Sequence, residues 1–238
     1  MTPAENFDFA NQYLQRVSPA IQQQNGFVVK FLGDGMMAVF PYDVEDAVRA
    51  GIAKIQVVNQ FNAERVANGE RPIELGIGIH TGHMMVGMIG EEKRLQGDAF
   101  SDNVNLTARI EGLNKFFRTS FIMSAETLAR LSNPQQYAFR SLGRVIVKGR
   151  KTPIGLYEIF DGEPDELRAK KMDSLATYEA AQKHYAAGQL DEARVLFSEI
   201  VADNPADGPA TMYLERIAEI LAEGKPDFWD GVIVMTSK

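Results

Sequence analysis

The stretch "VVKFLGDGMMAVFP", residues 28–41, sets two short apolar runs on either side of Gly33, Asp34 and Gly35. Runs of Val, Phe and Met joined by a Gly-Asp-Gly turn read as a β-hairpin, because Gly and Asp tolerate the backbone conformations a tight turn needs. A carboxylate is too costly to bury unpaired, so Asp34 is expected to face solvent, a metal or another cation. An Asp in this place is most often a plain turn residue, and only its company can argue otherwise. Lys30 stands just before the turn. Downstream, "RLQGDAFSDNVNLTARIEGL" (94–113) and "VIVKGR" (145–150) again set charged groups beside glycines or at a helix start. Such clusters within one small domain point to a site for a polyphosphate.

The flanking sequence supplies the rest of a domain. In "MTPAENFDFANQYLQRVSPAIQQQNG" (1–26), Thr2 is placed as N-cap, Pro3 as the first helical residue and Glu5 three after the cap. With Phe7, Phe9, Tyr13 and Leu14 on one stripe, this predicts a helix, bent at Pro19 and ending at Gly26. After the hairpin, Val44, Ala47, Val48, Ile52, Ile55 and Val58 recur at helical spacing up to Gly69. "IELGIGIHTGHMMVGMIG" (73–90) alternates like strands interrupted by glycines, and "SDNVNLTARIEGLNKF" (101–116) reads as a capped helix. A strand, a short helix and two or three further strands follow through residue 160. The order helix, hairpin, helix, strand predicts an α+β sandwich.

Beyond "DGEPDE" (161–166) the strand signal ends. Tyr178, Ala181, Gly188, Ala193, Phe197 and Pro205 fall near the spacing of a tetratricopeptide-like helical hairpin, and a generic helical extension fits equally well. One such unit cannot bury its own apolar face, so it is expected to dock on the first domain or on a partner. The organisation expected is therefore a domain over 1–162 and a helical extension over 163–238. "FWDGVIVMTSK" at the end has strand-like residues with no assigned place.

Composition narrows the function classes. The chain has 238 residues, 45% hydrophobic and 24% charged, as in ordinary globular proteins. Its net charge of -7 argues against nucleic acid or an anionic membrane as a partner held by bulk electrostatics. There is no Cys, so neither disulfides nor thiolate metal sites arise. No apolar run approaches the roughly 18 residues of a membrane span, and no signal-peptide pattern opens the chain. A cytoplasmic location is expected, with any membrane tether lying in upstream segments.

The runs "KFLGDGMMAVFP", "GIGIHTGHMMVGMIGEEKRLQGDAFSDNVNLTARIEGL" and "VKGR", in this order, resemble the catalytic domain of class III nucleotidyl cyclases. The resemblance covers about residues 3–160. It implies a ferredoxin-like palm, a homodimer with composite active sites at the interface, and conversion of a nucleoside triphosphate to its 3′,5′-cyclic monophosphate and pyrophosphate. It also implies Mg²⁺ or Mn²⁺, two ions in the complete family site. Position by position, Asp34 matches a metal-binding aspartate, Lys30 and Asp98 the base-reading pair, Asn105 and Arg109 the transition-state pair, and Lys148 the lysine that grips the terminal phosphates. The base can be argued from chemistry. Adenine offers an acceptor at N1 and a donor at its 6-amino group, which suits a lysine that only donates and a carboxylate that only accepts, so ATP is the expected substrate. Guanine reverses both, which also argues against a diguanylate cyclase. Asn105 and Arg109, four apart on one helix, share a face. Arg150 or Lys151 could share the task of Lys148. His80 and His83 are expected to be structural, and Met84, Met85 and Met88 to pack in the core or at a dimer interface.

The sequence also departs from the family pattern. The family's first strand, resembling Phe-x-Asp-Ile-x-x-Phe-Thr and carrying the other metal aspartate, is not found before the helix at Thr2, and Asp8 lies within that helix. Ser101 stands where Gly is usual, and Gly97 where an aromatic or polar residue is common. The expectation is an adenylyl cyclase domain, active in its complete form, with this chain by itself binding ATP weakly and cyclising it barely or not at all. The alternative is a catalytically silent dimerisation or nucleotide-binding module whose helical tail recruits a protein partner.

Overall fold

The computed structural model describes residues 2–91, 94–226 and 228–235. Helix α1 (Pro3–Gln22) starts with the expected reciprocal cap: the Thr2 hydroxyl accepts from the Glu5 backbone N–H at 3.3 Å, and the Glu5 carboxylate accepts from that of Thr2 at 2.6 Å. Pro19 sits inside its last turn, and the chain leaves through Asn25 in a left-handed conformation. The hairpin of β1 (Phe27–Leu32) and β2 (Gly35–Val39) follows, with Leu32 opposite Gly35 and Gly33 at φ +67° in the turn. Helix α2 (Val44–Ala67), capped by Asp43, packs on α1 through Tyr13, Val17, Val58 and Phe61.

Strands β3 (Ile77–Ile79), β4 (Met85–Glu91) and β5 (Arg94–Phe100) come next. The sequence reading leaves 91–100 without an element, yet β5 pairs along β4 from Met85 opposite Phe100 to Glu91 opposite Arg94. Gly97 and Asp98 lower the strand propensity there, and the cross-strand ladder, a tertiary feature, overrides it. Helix α3 (Asp102–Phe117) is capped by Ser101, whose hydroxyl accepts from the Val104 N–H at 3.2 Å. A Ser where the family has Gly thus gains a helix cap.

Strands β6 (Phe121–Ser124), β7 (Phe139–Ile146), β8 (Ile154–Ile159) and β9 (Ile233–Val234) join β3 in a five-stranded sheet of order β3-β6-β8-β7-β9; the short helix α4 (Ala125–Leu128) follows β6. The β1–β2 and β4–β5 hairpins form two separate two-stranded ladders, so β3 is an edge strand. The architecture is mixed α+β, as expected. Within the unassigned C-terminal stretch, Ile233–Val234 form β9, parallel to β7; residues 236–238 lie outside the described residues.

Helices α5 (Asp165–Asp173), α6 (Leu175–Ala186), α7 (Leu190–Asp203) and α8 (Gly208–Glu223) complete the chain. They lie on the sheet and share its core: Leu106, Ile110 and Phe117 of α3, Leu142 and Val145 of β7, and Tyr178, Phe197 and Tyr213 of the helices belong to one buried cluster. A buried ion network pins the seam. The Arg140 guanidinium on β7 donates to Glu158 at 2.6 Å and bidentately to Asp207 at 2.7 Å, and Lys171 on α5 donates to Glu158 at 2.8 Å and Glu163 at 2.6 Å. Burial alone would raise the Glu158 pKa, but Arg140 and Lys171 overcome it and hold the carboxyl low. Burial wins at Glu163, whose pKa is pushed up to about 7 and whose Oε2 has no hydrogen-bond partner among the described residues. Among the described residues no helix is long and apolar enough to cross a membrane.

Candidate functional site

The six residues singled out by sequence fall into three places. Lys30, in the middle of β1, and Asp98, in β5, meet in an ion pair: Lys30 Nζ donates to the two carboxylate oxygens at 2.7 and 2.8 Å. They are 68 residues apart in sequence, and β5 lies against β1 to bring them together. Both side chains keep about a quarter of their surface in contact with solvent. The hydrogen bond from Lys30, helped by the Ala99 N–H, holds the Asp98 carboxyl below its usual pKa. The pair therefore presents a cation and an anion side by side at neutral pH. Gly97, beside it, passes the Val29 carbonyl, which a Cβ would meet at 3.6 Å, an ordinary contact that does not by itself require glycine.

The second place is the start of α3 and the turn after β7. Asn105 is exposed and Arg109 half-buried, one helical turn apart. The Arg109 guanidinium lies against Gly149, where a Cβ would come within 3.5 Å of Nη2; Gly149 has φ +79°, which glycine adopts without strain. Lys148, next to it, is exposed. Arg150 forms an ion pair with Asp102 in the first turn of α3, so the turn is tied to the helix that carries Asn105 and Arg109.

Asp34 occupies the third place, the exposed tip of the β1–β2 hairpin. Among the described residues no hydrogen bond or ion pair links it to the other five. Its negative charge is felt by Tyr13 and by Lys54, a lysine only 8% exposed whose pKa is pushed down to about 8 by burial. Nothing in the α2 pattern distinguishes Lys54 from a solvated lysine, and the sequence reading passes over it. Asn103 is also missed: it holds the His80 ring through Oδ1 at 3.2 Å and the His83 carbonyl through Nδ2 at 2.9 Å, with Ser124 on the other side of His80 at 2.8 Å. His80 is thus a bolt between β3, β6 and α3.

The methionines around β4 do not fill the core, one of the two places expected for them. Met84, Met85 and Met88 are not core: they are 39%, 75% and 64% exposed, beside exposed Val86, Ile89 and Phe100. Among the described residues the β4–β5 ribbon pairs only within itself, and Met85, Met88 and Ile89 point outward. Phe31 and Leu32 at the end of β1 are exposed as well.

Comparison with known proteins bears on these groups together. The family model "Adenylate and Guanylate cyclase catalytic domain" matches residues 1–160. A terminal-differentiation specific adenylate cyclase of Dictyostelium discoideum is 31% identical over 213 residues, 88% of this chain and 10% of the relative, so the similarity runs well past residue 160 into the helices. An adenylate cyclase of Anabaena cylindrica is 34% identical over 165 residues, 67% of this chain and 33% of its own length. The chain thus spans a third or less of these relatives. Among solved structures, the guanylyl cyclase Cya2 superposes with TM-score 0.58 at 29% identity, covering 69% of this chain and 85% of that one. The adenylyl cyclase CyaB from P. aeruginosa gives TM-score 0.58 at 26% identity, covering 67% and 84%.

Proposed function

Since the chain belongs to the adenylate and guanylate cyclase catalytic domain family, we propose that it is an adenylyl cyclase domain, converting ATP to 3′,5′-cyclic AMP and pyrophosphate. In this reaction the ribose 3′-oxygen bonds to the α-phosphorus, its proton passes to solvent, and the bond from the α-phosphorus to the bridging oxygen breaks as pyrophosphate leaves. The observation that carries the choice of base is the Lys30–Asp98 pair. An ammonium and a carboxylate held together match adenine's acceptor and donor, and in a closed pocket the mismatch with guanine is worth orders of magnitude in selectivity.

The remaining groups take roles suited to their chemistry. Arg109 presents a guanidinium fork to the charge that grows on the α-phosphate, and Asn105, one turn away, orients the ribose. Lys148 holds the terminal phosphates, with Arg150 kept at hand by Asp102. Asp34 offers an exposed hard oxygen donor that makes no hydrogen bond among the described residues, which fits a cation that takes most of its ligands from phosphates and water. Among the described residues no group of three or more His, Cys, Asp or Glu side chains gathers to hold such an ion without substrate. A bound Mg²⁺ or Mn²⁺ would neutralise phosphate charge and acidify the 3′-hydroxyl.

Two copies are needed in this reading. The exposed apolar strip of β4–β5 is the kind of surface that a second copy covers, with Asp34 of one copy serving the residues of the other. The silent-module alternative gains no support from the packing, because Tyr178, Ala181, Ala193 and Phe197, the expected docking face of the tail, are spent on the internal core. The test is turnover of ATP against GTP by the protein and by a Lys30→Glu, Asp98→Cys variant. Preference for ATP, shifted toward GTP in the variant, is expected; a wild-type preference for GTP would overturn the assignment.

A further inference from the structure

We infer that Tyr213, on the C-terminal helix α8, is a positioning residue for the turn that carries Lys148, acting by fixing a bulge in β7. The inference rests on the reading of Lys148 as a phosphate ligand and goes beyond it, because it gives the helical segment a part in the chemistry.

Along β7 the pairing with β8 runs from Ser141 opposite Tyr157 to Arg144 opposite Gly155. Three steps on one strand answer two on the other, so one extra residue is accommodated in a bulge. At the bulge Gly143 has φ +79°, and the Tyr213 hydroxyl donates to the Leu142 carbonyl at 2.9 Å. A Cβ on Gly143 would lie 2.8 Å from that hydroxyl. Tyr213 and Leu142 are both fully buried, so no water is at hand to replace the bond, and a buried carbonyl left bare is costly.

The bulge matters because side chains alternate along a strand. After it, Val145 and Val147 point into the core while Arg144 and Lys148 face solvent. If the extra residue were lost from the strand, every residue beyond the bulge would slip by one against β8 and this order would reverse, turning Val145 outward and displacing the turn that carries Lys148. The neighbouring C-terminal strand keeps the downstream part straight: Met235 N–H donates to the Ile146 carbonyl at 3.0 Å, and Arg144 Nη2 to the Asp230 carbonyl at 2.6 Å. What remains is to hold the extra residue in the strand, and Tyr213 with Gly143 holds it. The aim of Lys148 and the seat of Arg109 on Gly149 are both read out from that point.

The test uses Tyr213→Phe, which removes one oxygen and keeps the ring, with Gly143→Ala as a second variant that crowds the same bond. Backbone hydrogen exchange over residues 145–150 should quicken by about tenfold in each, with β6 unaffected. Equilibrium binding of pyrophosphate should weaken several-fold while binding of adenosine, which carries no phosphate, stays the same. In a Lys148→Ala background, Tyr213→Phe should cause no further loss of pyrophosphate affinity, since one group would be acting through the other. Unchanged exchange over 145–150 would overturn the inference. So would additive losses in the double variant, or unchanged pyrophosphate affinity in Tyr213→Phe where Lys148→Ala lowers it. If Lys148→Ala itself leaves pyrophosphate affinity intact, the phosphate reading fails, and the exchange result alone decides the bulge.

Discussion

The two sides of the candidate site are built differently. Arg109 stands on α3, and Lys148 and Arg150 in the turn after β7; these elements rest on the largest buried cluster among the described residues and are tied to the C-terminal helices by Arg140 and Asp207. Asp34 stands on a two-stranded hairpin outside the main sheet, near a second ribbon whose apolar side chains face outward. The first side is preorganised within one chain. The second is an unfinished surface, and a second copy is what would complete it. Groups that must meet a developing charge gain from rigid support, whereas a carboxylate that shares a cation with a substrate can be delivered across an interface.

That contrast predicts a steep gradient in the effect of substitutions. On the rigid side, Asp207→Ala strips Arg140 of its bidentate partner and removes the cap that accepts from the Ala210 N–H, leaving a buried cation half-paired. Its expected cost is about 3–5 kcal/mol of folding free energy, read by urea unfolding. Arg109→Ala should leave stability nearly intact but lower kcat by on the order of 10²- to 10⁴-fold, the usual loss when a group that stabilises the transition state is removed; retained kcat would remove it from the mechanism.

The next effect depends on pH. The folded-state pKa of Glu163, about 7, lies above the ordinary carboxylate value of 4.5 because the group is buried. Its contribution to stability is therefore full below pH 4.5 and is lost as pH rises through 7. Glu158 has the opposite sign: its lowered pKa contributes stability that is full above pH 4.5 and disappears on further acidification. Glu163→Gln should flatten the stability profile between pH 4.5 and 7 by about 3 kcal/mol, while leaving the acid limb due to Glu158. A profile with an unchanged slope in that window would contradict the buried, unpaired Oε2. The smallest effect on folding belongs to the exposed side. Met88→Lys should change stability by less than about 0.5 kcal/mol, yet shift sedimentation from dimer toward monomer.

The same division explains what could be read from sequence. Local signals were plain: the Thr2 and Glu5 cap, the Gly33-Asp34-Gly35 turn, and the spacing of Asn105 and Arg109 all depend on neighbours a few residues away. The family resemblance picked out Lys30 and Asp98 as a base-reading pair, and the type of charge each carries then argued for adenine before their contact was known. What could not be read is held by distant partners. Strand β9 is two residues long and exists because β7 accepts it. Arg140 and Asp207 are 67 residues apart, and neither lies in a pattern that marks it as buried. Lys54 looks like any helix lysine until α1 closes over it. The exposure of Met85 and Met88 is a property of an unpaired ribbon face, and their hydrophobicity alone would have placed them inside.

The most direct test of a site shared between an ordered half and a delivered carboxylate is complementation. Asp34→Ala and Arg109→Ala chains, each inactive by itself and each shown to dimerise, would be mixed and exchanged, and cyclic AMP formation from ATP followed with Mn²⁺. The account predicts recovery of activity on mixing, because each heterodimer holds one site with both Arg109 and the partner's Asp34 intact. Heterodimers that form but stay inactive would show that Asp34 and Arg109 act within the same chain, and the two-sided account would be wrong.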